Sequence, residues 1–502
     1  MERWQQLEPA SPHFATVSEF LRAEYSEQAV CRRLGMESLH EYLGGGEKPE
    51  FSADSEPADA LDVLLRLFLR GSRVSANDWE RLIPRAVREA MEGLGMLCAD
   101  AEHREQLYST VALYPVQGLH IASDRWTNLD GSRPAEPDFV FPAIHPFTHD
   151  LLGLLPQKPC EKFLDLCSGT AVAALLASRN YSRQSWAVDI TARATQFGEF
   201  NRRLNQVENV RVLQGNLYEP VAGLKFDRIV AHPPFVPSLD RGAIYADGGE
   251  DGEFVTRALV QRLPQFLEAD GCCYCGTMGI EREGEPYERR VREWLGGEQS
   301  NFDVLFITER TQSPALFAYR AARNKKGDLT LMDQWLAHLE KLGVQNLAYG
   351  LLVMQRKGSS RNAFTVRRQR GERSRGAEIE WLRNWETKLA GSSGASFLLQ
   401  SRPRSSAEVN IQIIQAKRGA EFIPTQHILK ISYPFVLEYE CSAWVATFVT
   451  RCDGKTTARK QLEAGRHNRW LPPEVTEEQF AQTLGTLISM GVVEIEGFDP
   501  PG

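Results

Sequence analysis

The sequence predicts an α/β fold: a central doubly wound parallel sheet over roughly residues 140–358, flanked by small α+β modules at 1–139 and 359–502. Three observations predict it. Short apolar runs alternate with amphipathic stretches through the centre, the pattern of βαβ units. One apolar run enters a turn of small residues and then a helix, Phe163-Leu164-Asp165-Leu166-Cys167-Ser168-Gly169-Thr170-Ala171. The length, 502 residues, exceeds one ordinary core, so two or three domains are expected.

In chain order, an apolar helix over 60–69 stops at Gly71, and Ser75 caps the next by accepting an otherwise unpaired first-turn amide. That helix carries Trp79, Leu82, Ile83, Val87 and Met91 near helical spacing, and strands are expected at 107–114 and 118–123. A helix pair followed by a hairpin predicts a winged-helix-like module, suited to recognising a partner. The central strands are expected at 162–166, 185–188, 210–213, 227–230 and 272–278, with two more at 302–307 and 348–353. The helix between the last two carries Leu331, Trp335, Leu336, Leu339 and Leu342. Residues 356–375 hold eight Lys or Arg against one acid, Glu372, mixed with Gly and Ser, which predicts an exposed linker or loop. Beyond it, alternating Val409, Ile411 and Ile413 predict a strand, and a helix near 476–490 followed by a strand at 492–495 suggests a second winged-helix-like module.

Composition narrows the function. Apolar residues make up 42% and charged residues 25%, the balance of a soluble globular chain. No apolar run approaches the ~20 residues that span a bilayer. Met1-Glu2-Arg3-Trp4 lacks the apolar stretch of a secretory signal, and nine scattered cysteines make no disulfide framework, so a cytoplasmic setting is expected. Net charge of −8 argues against a surface built as a whole to hold a polyanion.

The candidate site follows the strand ends. The small turn Cys167–Gly169 lets backbone approach a ligand, and the next helix N-terminus offers free amides. Asp165 sits at the end of the first strand. Asp189, with Ile190 beside it, ends the second, where an acid accepts hydrogen bonds from two ribose hydroxyls. Asn216 and Leu217 follow the third strand, placed to face and cover an adenine. The fourth strand runs into His232-Pro233-Pro234-Phe235: two prolines stiffen a turn beside the switch point, and Phe235 gives a flat wall for an acceptor. That turn separates S-adenosylmethionine from a nicotinamide cofactor, because a dehydrogenase has no use for it.

In this order the pieces resemble the class I S-adenosylmethionine-dependent methyltransferases. More narrowly they resemble the protein-(glutamine N5) methyltransferases that modify release factors and a ribosomal protein. The narrower resemblance also rests on Ala246-Asp247-Gly248-Gly249-Glu250-Asp251-Gly252-Glu253, and covers roughly residues 160–280. It implies a Rossmann-like seven-stranded domain. It also implies a cofactor pocket of Asp165, Cys167, Gly169, Asp189, Ile190, Asn216, Leu217 and His232, and an acceptor turn of His232, Pro233, Pro234 and Phe235. Three positions depart from the family: Cys167 and Ala171 replace glycines, and His232 replaces an asparagine. Asparagine grips an amide with one donor and one acceptor; neutral histidine offers the same pair with different reach and can also take a proton. His232 therefore either orients the acceptor or serves as a base. The expected acceptor is a nitrogen or oxygen on a protein side chain or small molecule. An RNA base, reached through the basic segment 356–375, is the alternative, and a binding protein on a methyltransferase scaffold a third reading.

Other motifs point elsewhere. Cys272, Cys273 and Cys275 belong to a buried strand without matching zinc ligands, and His145 and His149 have helical spacing but no partner motif, so no metal is expected. The run Phe141-Pro142-Ala143-Ile144-His145-Pro146-Phe147 is a candidate lid over the cofactor.

Overall fold

The computed structural model describes residues 12–43, 56–129, 132, 136–239, 243–324, 329–391 and 394–501; the N-terminal tetrapeptide considered above lies outside them. The chain packs as two compact units, Met1–Leu152 with Gln157–Thr277, and Gly153–Pro156 with Met278–Gly502.

In the first unit, parallel strands lie in the order Leu267–Arg282 (its part up to Thr277), Phe226–Ala231, Cys160–Leu166, Ser182–Asp189, Val210–Gln214. Each expected strand is present, a few residues longer than its apolar run because the ladder continues into polar flanks. Burial on both faces explains the unbroken apolar runs: Phe163, Leu164, Val188 and Ile229 have no exposed surface. The middle strand, Cys160–Leu166, has the second strand on one side and the fourth on the other, which defines a switch point. Register sets Leu166 opposite both Val188 and Ala231, so the turns after these strands open at one edge. Cys273 and Cys275 are fully buried in the strand beside the fourth.

The N-terminal strands differ from expectation. The strand expected at 107–114 breaks in two: Gln106–Ser109 pairs with Leu97–Ala99 and Val74–Ser75, whereas Ala112–Val116 pairs with Leu119–Ser123. The break has a local cause, since the Ser109 hydroxyl donates to the Val111 carbonyl at 2.7 Å and folds the chain back on itself. Ser75 caps its helix as expected, accepting from the Asp78 amide at 3.0 Å, but that helix ends at Leu82, where the chain turns extended before Pro84, and Val87 and Met91 lie on a second helix, Arg85–Gly93.

The Leu119–Ser123 strand has no further strand on its outer edge among the described residues. Two asparagines one helical turn apart take that place. Asn201 accepts from the Ala122 amide at 2.7 Å and donates to the Ala122 carbonyl at 2.9 Å. Asn205 does the same at His120, at 2.8 and 2.7 Å. The helix Ala192–Leu204 and its cap thus carry a two-rung ladder that fastens the hairpin to the sheet unit. Asn201 also donates to the Thr170 carbonyl at 3.1 Å, reaching the small turn itself.

In the second unit, Phe302–Gln312 runs antiparallel to Val344–Arg356 and parallel to Thr365–Arg370, which meets Phe435–Cys441. The segment 356–375, expected as an exposed linker or loop, instead contains the strand Thr365–Arg370 and is largely neutralised in place. Arg361 pairs with Asp303, Arg367 with Glu281 at 2.6 Å, Arg370 with Glu309 at 3.4 Å and Arg373 with Glu408 at 2.8 Å. Counting charges along the sequence missed this because the partner acids are remote in the chain. The strand read from Val409, Ile411 and Ile413 forms as Asn410–Arg418, but Ile413 stays 51% exposed, so the alternation there marks no core face. The predicted C-terminal helix and strand are Glu477–Ser489 and Val493–Glu494.

Candidate functional site

The small turn is built from left-handed backbone. Cys167 has φ 55°, Gly169 φ 50° and Ala171 φ 62°. The two positions where the family has glycine are therefore positions that favour glycine, each costing about 1 kcal/mol with a side chain present. Ala171 keeps its place because Gly198, on the facing helix, leaves room; a Cβ on Gly198 would lie 3.2 Å from that of Ala171.

Asp189 closes the turn. Its carboxylate accepts from the Gly169 amide at 3.0 Å and, through the other oxygen, from the Thr191 amide at 3.0 Å and hydroxyl at 3.2 Å. Thr191 in turn caps the helix Ala192–Leu204. Ile190 is 56% exposed, an unusual state for isoleucine at a strand end and one suited to covering an apolar ligand face. Asp165 is buried; one oxygen accepts from the Ala174 amide at 3.2 Å, and burial, with Asp189 nearby, pushes its pKa well up. A carboxyl in that state has most to gain from a cationic ligand. Leu217 takes φ 50° and Asn216 is exposed, its side chain 3.5 Å from Glu219. Gly215 before them admits no Cβ, which would sit 2.3 Å from Pro220.

The proline turn His232–Phe235, expected to hold the acceptor, begins next door. The His232 amide donates to the Leu166 carbonyl at 3.4 Å, so it leaves the sheet beside the small turn. The imidazole Nε2 is buried with no hydrogen-bond partner among the described residues. Burial, and to a lesser degree His145, push the His232 pKa down to about 4. The ring is therefore neutral at pH 7, with one donor and one acceptor to offer.

The acidic glycine-rich segment braces this turn. Asp247 accepts from the Ser238 hydroxyl at 2.6 Å and the Gly249 amide at 2.9 Å. The Gly248 amide donates to the Val236 carbonyl at 2.9 Å, and Asp251 receives Arg257 at 2.5 Å. Gly252, at φ 75°, lies against the turn: a Cβ there would stand 2.6 Å from the Phe235 carbonyl. Asp247 and Asp251 thus serve the loop's own geometry.

A chain of rings completes the wall: Phe139–Phe141 at 5.4 Å, Phe141–His145 and His145–Phe147 at 5.1 Å, Phe147–Phe235 at 6.0 Å, and Phe235–His232 at 5.7 Å. The lid candidate 141–147 thus meets the 232–235 turn. His149 instead stacks on His40, with centroids 3.9 Å apart, so the two histidines at helical spacing face different neighbours. Among the described residues no cluster of His, Cys, Asp or Glu is placed to hold a metal.

Sequence reasoning missed Asn201, Asn205, Asp124 and Arg193. Arg193 alone carried a signal: a basic residue in the first turn of a helix opposes the helix dipole and asks for a partner.

Residues 143–275 match the family model for the methyltransferase small domain. Over 160 residues the chain is 29% identical to a ribosomal protein uL3 glutamine methyltransferase of Bradyrhizobium diazoefficiens, covering 29% of this chain and 50% of that one. The corresponding Bordetella pertussis protein is 27% identical over 164 residues, covering 30% and 54%. A release factor glutamine methyltransferase of Escherichia coli is 35% identical over 112 residues, covering 21% and 40%. The chain spans about half the length of the first two relatives. The central segment therefore resembles the protein N5-glutamine methyltransferases, the resemblance first drawn from its motifs.

Proposed function

We propose that this chain is an S-adenosylmethionine-dependent methyltransferase whose acceptor is a neutral planar group, best matched by a protein side-chain amide. The observation that carries this reading is the His232 ring: an orphaned, buried Nε2 on a proline-stiffened turn, one strand end away from the small turn. A buried polar atom left unpaired costs about 1–3 kcal/mol, which a bound acceptor would recover.

The residues fit the cofactor. Asp189 would take the ribose, Ile190 and Leu217 would cover the adenine, Asn216 would meet its edge, and the 167–169 backbone and Asp165 would hold the cationic amino-acid end. When bound, S-adenosylmethionine supplies an electrophilic methyl on a sulfonium whose sulfur keeps the electron pair as the methyl leaves. The protein's part is alignment and exclusion of water. An amide nitrogen is a poor nucleophile because its lone pair is delocalised, so orientation supplies much of the rate. His232 would meet one polar end of the amide through Nε2, as donor or acceptor according to its tautomer, Phe235 and Phe147 would wall it, and the two prolines hold the turn still. A ring with a pKa near 4 is a weak proton acceptor at neutral pH, which favours the orienting role over the base role, and the N–H proton that the amide nitrogen gives up on methyl transfer passes to solvent as the product leaves.

The N-terminal order supports a winged-helix reading of residues 60–109. Helix, strand, two helices and two strands follow in turn, with the strands arranged Val74–Ser75, Gln106–Ser109, Leu97–Ala99. Such a module would present a protein acceptor. The ion pairs that Arg361, Arg367, Arg370 and Arg373 make with remote acids leave less free charge on 356–375 for RNA, which favours a protein acceptor.

Two measurements test the reading. Calorimetry should show S-adenosylhomocysteine binding; no binding at millimolar ligand overturns it. Labelled S-adenosylmethionine, offered with release factors, ribosomal proteins and RNA separately, should label protein; label in RNase-sensitive material alone refutes the amide acceptor.

A further inference from the structure

We infer that Asp124 is a positioning residue that couples the cofactor side of the site to the aromatic strap 139–147. The inference rests on the proposed function and deepens it.

Asp124 is 5% exposed and follows the hairpin strand Leu119–Ser123. Its Oδ2 accepts from Arg193 Nε at 2.8 Å, and its Oδ1 accepts from Arg193 Nη2, a two-pronged grip. The same Oδ2 accepts from the Val140 amide at 2.8 Å, and the Asp124 amide donates back to the Val140 carbonyl at 3.3 Å. One carboxylate therefore holds both a helix and a strap.

Each end leads to the site. Arg193 lies in the first turn of Ala192–Leu204, four residues past Asp189, on the helix whose cap Thr191 hydrogen-bonds Asp189. An arginine there opposes the helix dipole, so helix formation does not explain it; the buried grip on Asp124 does. Val140 sits between Phe139 and Phe141, whose rings begin the chain of contacts that ends on Phe235. The hairpin cannot swing freely, because Asn201 and Asn205 fasten it to the same helix. A ligand that fixes Asp189 thus steadies Arg193, Asp124 and the strap, and by linkage an ordered strap strengthens cofactor binding by the same factor.

The test uses the full chain with S-adenosylhomocysteine as probe, read by calorimetry and by amide hydrogen exchange across 139–147. In the unaltered protein, saturating ligand should slow exchange in this segment at least tenfold. Asp124→Ala should bind about tenfold more weakly and lose that slowing. Asp124→Asn, which keeps an oxygen for the Val140 amide, should fall between the two. A role confined to stability would lower the melting temperature and leave the ligand-dependent slowing intact, which overturns the inference. So does ligand binding to the unaltered protein with no slowing. If Asp124→Ala fails to fold, Asp124→Asn decides alone: slowing equal to that of the unaltered chain overturns the coupling. Absence of any binding to the unaltered protein refutes the proposed function and this inference with it, whereas binding without slowing refutes this inference alone.

Discussion

Replacing His232 by Asn should flatten the acid limb of the stability profile. The ring titrates near 6.5 when unfolded and at about 4 in the native chain. Its folded pKa is depressed, so the native state holds it neutral while the unfolded state takes up a proton first. The stability held above pH 6.5 is then lost progressively as pH falls toward 4. At pH 5.5 the linkage gives a penalty of about 1.4 kcal/mol, and the part of the ring that meets solvent reduces this to about 1 kcal/mol. The asparagine of the variant has no proton to gain. The assay is denaturant unfolding of the first-unit transition in both proteins at pH 7.5 and 5.5. The variant should lose about 1 kcal/mol less than the parent over that interval. His40 and His120 are also held below their usual range by burial, but they remain in both proteins and cancel in the difference. Equal losses in parent and variant would refute the claim that this ring is buried neutral, and with it the argument against a base role.

Asp189→Ala removes the proposed ribose acceptor and the anchor of the Gly169 amide; at about 2–4 kcal/mol for charge-assisted bonds, S-adenosylhomocysteine should bind roughly 30- to 1000-fold more weakly by calorimetry. Gly252→Ala drives a Cβ against the Phe235 carbonyl, so methyl transfer from labelled cofactor should fall about 100-fold while product affinity stays within about twofold. Ala171→Val puts a branched side chain at φ 62° facing Gly198 and should destabilise the first unit by about 2–4 kcal/mol in denaturant unfolding. Asn201→Asp keeps the acceptor for the Ala122 amide but sets a carboxylate against the Ala122 and Thr170 carbonyls; unfolding should show a larger loss than for Asn201→Ala, which itself costs about 2–3 kcal/mol.

The inner central strands were legible because strands buried on both faces write themselves as continuous apolar runs, the part-exposed edge strand Val210–Gln214 only through Val210, Val212 and Leu213, and the turns because they must stand at strand ends. Asp189 could be placed by position alone. The basic run at 356–375 could not, because Arg361 and Arg367 find Asp303, Glu281 and Glu288 many residues away, and a charge count along the chain carries no such distances. The hairpin break at Ser109 and the asparagine ladder were illegible for the same kind of reason. A serine hydroxyl folding onto its own backbone, or an amide side chain standing in for a strand, leaves no periodic trace.

The three departures from the family can be weighed together. Cys167 and Ala171 both occupy left-handed backbone, so losing glycine there costs stability without changing the path of the chain. A scaffold freed from cofactor binding would have no reason to keep that strained path, or to leave Ile190 more than half exposed beside Asp189. His232 completes the case. A histidine retained only for packing would be expected to have its ring nitrogens satisfied or removed from the core. Here the turn holds a neutral imidazole with a buried Nε2 lacking a partner among the described residues, next to the backbone that carries the strain. Strain in the 167–171 turn and an unsatisfied atom in the 232–235 turn meet at the Leu166 carbonyl, where the His232 amide joins them. A ligand that hydrogen-bonds Nε2 would recover that atom's cost, whereas the left-handed turn keeps its strain with or without a ligand and is retained for the path it gives the backbone; a two-substrate transfer site, as proposed, uses both features and a bare scaffold uses neither.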